Sequence, residues 1–168
     1  MIRNNKAISA VIATVLIILI TVAAITIIWA AIIPLINKQL SSGTNCLDAV
    51  AQVQIVSDEG YTCYKLSGTS NKNMSLQVKH GAKDFVLADI SVLVSAGGDS
   101  TTLSVKNATQ NIGTEKGLPG PNEAVVYILN TTGITGTISK VEIAPVVEVG
   151  NTQDTCDISS SAVISECD

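Results

Sequence analysis

The sequence predicts an α+β protein: a long N-terminal hydrophobic α-helix followed by an all-β, immunoglobulin-like sandwich of about seven antiparallel strands. Three observations predict it. Residues 7–37 form a run of 31 positions without a charged side chain, bounded by Lys6 and Lys38. All 14 acidic residues lie from Asp48 onward. Beyond that point apolar residues alternate in short segments between polar turns, without a helical period. The expected organisation is therefore a leader at 1–7, a hydrophobic helix at 8–40 and a β-sandwich domain at 41–168.

As a helix, the uncharged run extends about 46 Å, well beyond the roughly 30 Å of a bilayer's hydrocarbon core. It is also far longer than the apolar region of an ordinary cleaved secretory signal. Arg3 and Lys6 precede the run and Lys38 follows it, so the positive-inside bias keeps the N-terminus cytoplasmic and places the domain outside. Trp29 suits the outer membrane interface. Pro34 lacks a backbone donor and is expected to kink the helix or end it before the domain. On a helical wheel Ala10, Thr14, Ile17, Thr21 and Ala24 fall on one narrow strip dominated by small residues. Small residues let helix backbones approach closely, and threonine hydroxyls can return their hydrogen bonds to the preceding turn, so the strip suits packing against like helices.

In the domain, "AVAQVQIV" reads as a strand and "SDEG" at 57–60 as the turn into "YTCYKL". Further strands are read at "MSLQVK", "FVLADISVLVS", "TTLSVKN", "AVVYILN" and "TISKVEIAPVVEV". The longest loop is expected at "QNIGTEKGLPGPN", where Gly and Pro accumulate. Pro145 within the last long strand predicts an edge position or a bulge. With one Phe and three Tyr, the core must be built from Val, Ile and Leu.

Cys46, Cys63, Cys156 and Cys167 all fall in the domain; no C-x-x-C occurs, and His80 is the sole histidine, so two disulfides are expected rather than a metal site. Three pairings are possible. The favoured one joins sequence neighbours, Cys46 with Cys63 and Cys156 with Cys167, which would staple the domain's two chain ends. Asn73, Asn107 and Asn130 each begin an N-x-[ST] triplet and are candidate glycosylation sites on an exported domain.

The formal charge of −4 becomes −6 without Arg3 and Lys6, and no basic stripe exists, which argues against nucleic acid as a partner. Catalytic readings are weak. His80 followed by Asp84 lacks any G-x-S-x-G nucleophile and reads as a surface histidine in a turn. "GTEKGLPG" lacks the order of a phosphate loop. Asp84, Asp89 and Asp99 lack EF-hand spacing. Neither an enzyme nor a cofactor is expected.

The stretch "NNKAISAVIATVLIILI" resembles the N-terminus of archaeal type IV pilins, in which a short class III signal peptide precedes a long apolar helix. The resemblance implies that a prepilin peptidase cuts after Lys6 and Ala7, making Ile8 the first mature residue. Ala10 stands where proline is frequent in the motif. Ile12 stands where bacterial pilins carry glutamate, as is usual for the archaeal group. The segment "LQVKHGAKDFVLADISVLVSAGGD" resembles a strand–turn–strand segment of the same family through His80, Gly81, Asp84, Leu87 and Asp89, although Ala82 and Lys83 interrupt its glycines. The resemblance implies a structural subunit that polymerises with itself. The precursor sits in the cytoplasmic membrane and uses a pilus assembly platform to become an extracellular filament for adhesion or cell-cell contact. Two alternatives stand beside it: a single-pass anchored binding module, and an archaellin of the swimming filament.

Overall fold

The computed structural model describes residues 5–67, 70–113 and 117–167, with side chains left undescribed at 5–9 and 67–72. The chain divides into two compact units, Met1–Leu40 and Ser41–Asp168. Helix α1 spans Asn5–Gln52, 48 residues, with Pro34 inside it. Nine strands follow: β1 Val53–Ile55, β2 Cys63–Ser67, β3 Ser70–His80, β4 Leu87–Ala96, β5 Asp99–Ser104, β6 Ala124–Asn130, β7 Ile138–Val149, β8 Thr152–Thr155 and β9 Ser160–Val163.

They form two antiparallel sheets, as the alternation predicts. In the four-stranded sheet, β3 pairs with β1, β2 and β6. In the five-stranded sheet, β5, β4 and β7 lie side by side, and β7's far edge is shared by β8 and β9. Strict alternation along β4 places Ala88, Ile90, Val92, Val94 and Ala96 inward. Ile90, Val92, Val94 and Ala96 meet Met74, Leu76, Val78, Tyr127 and Leu129 of the other sheet in one largely aliphatic core.

Four expectations are corrected. First, α1 passes through Pro34 and reaches Gln52 rather than ending near residue 40, so "AVAQ" is helical and only Val53–Ile55 is strand. Ala49 is fully buried against Val147, Val149 and Cys156, with Cys46 and Val50 beside it. Positions 46, 49, 50 and 53 carry a helical apolar period that the local alternation masks, and packing of that face outweighs the donor lost at Pro34.

Second, Pro145 lies neither at an edge strand nor in a bulge. It pairs with Ile90 inside the sheet. On its other side β9 ends its pairing at Ile143 and β8 begins at Val146, so the proline falls in the gap between two partners. Its carbonyl still accepts from Cys156 N (2.9 Å), while the missing N–H faces a position where no ladder bond is needed.

Third, strands β8 and β9 exceed the expected number because "TQDT" and "SSAV" are short and polar, with little alternation to signal them. Fourth, His80 is buried, not on the surface. Its Nδ1 lies 3.0 Å from the Pro119 carbonyl, and its ring packs edge-on against Phe85 at 4.4 Å. Gly81 beside it donates to the Gln52 carbonyl (2.9 Å), and a Cβ there would strike the Gln52 side chain. The His-Gly pair therefore serves as packing at a close chain crossing.

Candidate functional site

The surface that distinguishes this chain is α1. Every described residue from Ala10 to Leu40 is exposed, including Ile17, Ile20, Ile27 and Trp29 at more than 60 %. This is one helix long and apolar enough to cross a membrane. No soluble monomer gains from leaving such a surface in water, since each Å² of apolar area costs about 25 cal/mol when hydrated.

Within it, Thr14 Oγ1 donates to the Val11 carbonyl (2.8 Å), Thr21 Oγ1 to Ile18 (2.9 Å) and Thr26 Oγ1 to Ala23 (2.9 Å). Each hydroxyl is satisfied inside its own helix and presents mainly its methyl group outward, so the polar atoms add little cost in an apolar medium. The Ala10, Thr14, Ile17, Thr21, Ala24 strip is exposed along its whole length. A second feature escaped sequence reasoning. Ile25, Thr26, Trp29, Ala30, Ile33 and Pro34 line a shallow apolar groove on the helix. Their i, i+4, i+8 spacing is a signal in the sequence, but taken singly Trp29 reads as a membrane-interface residue and Pro34 as a kink or helix end. Lys6, Ala7 and Ile8 lie in the first turns of α1, and their side chains fall outside the described residues.

All four cysteines are disulfide-bonded, and the favoured pairing of sequence neighbours is overturned. Cys46 bonds Cys156 and Cys63 bonds Cys167. The reason lies in the topology. The end of α1 packs on the five-stranded sheet, where the segment after β8 delivers Cys156. Ser42 Oγ donates to Asp154 Oδ2 in the same region (2.6 Å). Cys63 belongs to the other sheet, beside which the last residues make an isolated parallel bridge from Tyr64 to Glu166: Tyr64 N donates to Ser165 O (3.1 Å) and Cys167 N to Tyr64 O (2.9 Å).

The candidate acidic and sequon residues are dispersed. Asp89 accepts from Ile90 N, Lys106 N and Ser104 Oγ, which consumes its carboxylate in holding the turn after β5. Asp99 pairs with Ala96 at the opposite end of the β4–β5 hairpin. Among the described residues no group of three His, Cys, Asp or Glu side chains converges as a metal site. Asn107 is exposed in a turn, with its Oδ1 accepting from both Thr109 N (3.0 Å) and Thr109 Oγ1 (2.7 Å). Asn73 and Asn130 are direct cross-strand partners on β3 and β6.

This chain is similar in fold to a chain of the archaeal flagellum of Methanospirillum hungatei strain JF1. The similarity has a TM-score of 0.50 at 14 % identity and covers 94 % of this chain and 92 % of that one. At this coverage the similarity takes in both the helix and the β domain of this chain. No family model and no curated protein matches the sequence.

Proposed function

We propose that this chain is the structural subunit of an archaeal, type IV pilin-like extracellular filament that polymerises through α1. The observation that carries the reading is the uncovered helix from Ala10 to Leu40, uncharged as far as Asn37 and about 46 Å of rise, on a chain whose fold is similar end to end to one from an archaeal flagellum. Between the two kinds of filament, the fold likeness supports an archaellin of the swimming filament better than the adhesion pilin that the leader motif suggests.

The mechanism is a change of apolar surroundings. As a precursor, α1 lies in the cytoplasmic membrane with Arg3 and Lys6 inside. After removal of residues 1–7 by a prepilin peptidase, an assembly platform moves it among the helices of neighbouring copies. Lipid and helix bundle are both apolar, so the hydrophobic term changes little on transfer. Close packing along Ala10, Thr14, Ile17, Thr21 and Ala24, together with the platform, supplies the bias. The β domains then form the outer wall. A domain merely anchored for binding has no use for a helix that outlasts the bilayer.

Shearing source cells tests the reading. Mature chains beginning at Ile8 are expected in sheared filaments, and deletion of the gene is expected to abolish swimming. Chains with intact N-termini confined to the membrane fraction would overturn the filament reading. Filaments made by cells whose swimming survives the deletion would return it to an adhesion pilin.

A further inference from the structure

We propose that Asn73 carries an N-linked glycan whose first sugars occupy a cleft on the outer face of the four-stranded sheet. The inference rests on the export proposed above, but not on polymerisation. Along β3, Met74, Leu76 and Val78 are fully buried, so Asn73 and Ser75 point to the opposite, outer face. There they line a cleft of about 270 Å³ with Tyr61, Lys65 and Ile128. Both chemistry-bearing residues of the triplet, the acceptor amide and the hydroxyl two positions on, thus border the same concavity.

Three features make this cleft a sugar subsite. Tyr61 is 55 % exposed and Ile128 39 %, and together with the Cys63–Cys167 disulfide they give the cleft an apolar part that suits the C–H face of a pyranose. Lys65, the cross-strand partner of Asn73, supplies a cationic donor for sugar hydroxyls or an acidic sugar. The Asn73 side chain makes no hydrogen bond among the described residues. By contrast, Asn130 Oδ1 accepts from Thr132 N (2.9 Å).

The register also decides between neighbours. Asn73 lies directly opposite Asn130, so their Cβ atoms are about 4.5–5.5 Å apart, too close for two glycans to leave the sheet side by side. A glycan seated in the Asn73 cleft excludes one on Asn130. Because Asn73 pairs with Lys65 on one side and Asn130 on the other, β3 is a central strand there. Transfer therefore precedes pairing of this strand. In it, Asn73 Nδ2 attacks C1 of a lipid-linked oligosaccharide. The N–C bond forms, the C1–O bond to the lipid phosphate breaks, the amide releases one proton and the lipid phosphate leaves.

The test uses the chain purified from both sheared material and membranes of source cells. Mass spectrometry of glycopeptides is expected to show Asn73 modified and Asn130 bare. Hydrogen exchange across residues 60–66 is expected to be at least about threefold slower in the glycosylated protein than in N73Q, and the difference is expected to vanish in Tyr61→Ser. An unmodified Asn73 in exported protein, or exchange that is the same in N73Q, overturns the proposal and leaves the filament reading standing. A modified Asn73 on membrane-bound chains that never form filaments supports this proposal while defeating that reading.

Discussion

Cys46 and Cys156 are 110 residues apart in sequence, yet their Cα atoms lie 5.2 Å apart, binding the last turns of α1 to the five-stranded sheet. The bond closes a long loop, and Ala49, one turn on, is wholly buried beside it. Replacing both cysteines by serine is expected to lower stability by about 2–5 kcal/mol, read as a fall in the thermal midpoint of the isolated protein. Peptide mapping without reductant is expected to recover Cys46 linked to Cys156 and Cys63 linked to Cys167. Recovery of a Cys46–Cys63 peptide would reinstate the pairing by sequence neighbours.

The small-residue strip of α1 is expected to act in assembly and not in insertion. Thr14→Leu combined with Thr21→Leu keeps the helix apolar but removes the close approach. Filament yield is expected to fall by tenfold or more while membrane-bound precursor is unchanged. Ile20→Lys provides the contrast, since a charge at mid-helix costs about 2.5–3.5 kcal/mol on insertion. It is expected to deplete both fractions, and a T14L/T21L strain with normal filaments would remove the strip from the interface.

Gly136 has φ of 87°, and a Cβ there would lie 2.9 Å from the Gly97 Cα, so two loop backbones meet without room for a side chain. Gly136→Ala is expected to destabilise the domain by about 1–3 kcal/mol in a urea titration. Gly43 sits in α1 with nothing within 4 Å of its Cβ position. Gly43→Ala is expected to gain about 0.5–1 kcal/mol instead, and equal effects of the two changes would show that the close approach is not felt.

Tyr127 is fully buried, yet its hydroxyl donates to the Gly117 carbonyl (2.8 Å), tying the β5–β6 loop to the core. Tyr127→Phe removes that bond at a cost of about 1 kcal/mol. Faster hydrogen exchange is expected at residues 117–123, with β3 and β4 protected as before. A uniform rise in exchange across the domain would assign the hydroxyl a global role instead.

Much of the fold was legible because its signals are local. The uncharged run marks α1, and the alternations around Leu76, Val92, Tyr127 and Val141 mark the central strands, each with a buried face that one residue of slippage would expose. The ends of elements were not legible. "AVAQVQIV" satisfies both a strand and a helix period, and only burial of Ala49 selects the helix as far as Gln52. Pro145 reads as an edge signal, although β8 and β9 simply leave a gap opposite it. Of the candidate surface, the strip from Ala10 to Ala24 was visible on a helical wheel. The groove at Trp29 and Pro34 and the cleft beside Asn73 were not, because each joins residues that sequence shows only one at a time.

By itself, the sequence determined an apolar helix without charge between Lys6 and Lys38 and an aliphatic, acidic β domain after it, since burial requires a matching period and apolar surroundings disfavour charge. Only the tertiary structure decided which cysteines meet, where α1 stops, and that Asn73 faces Asn130. Those are relations between residues tens of positions apart. They depend on how the two sheets stack and on which strand each edge receives, and no local pattern encodes them.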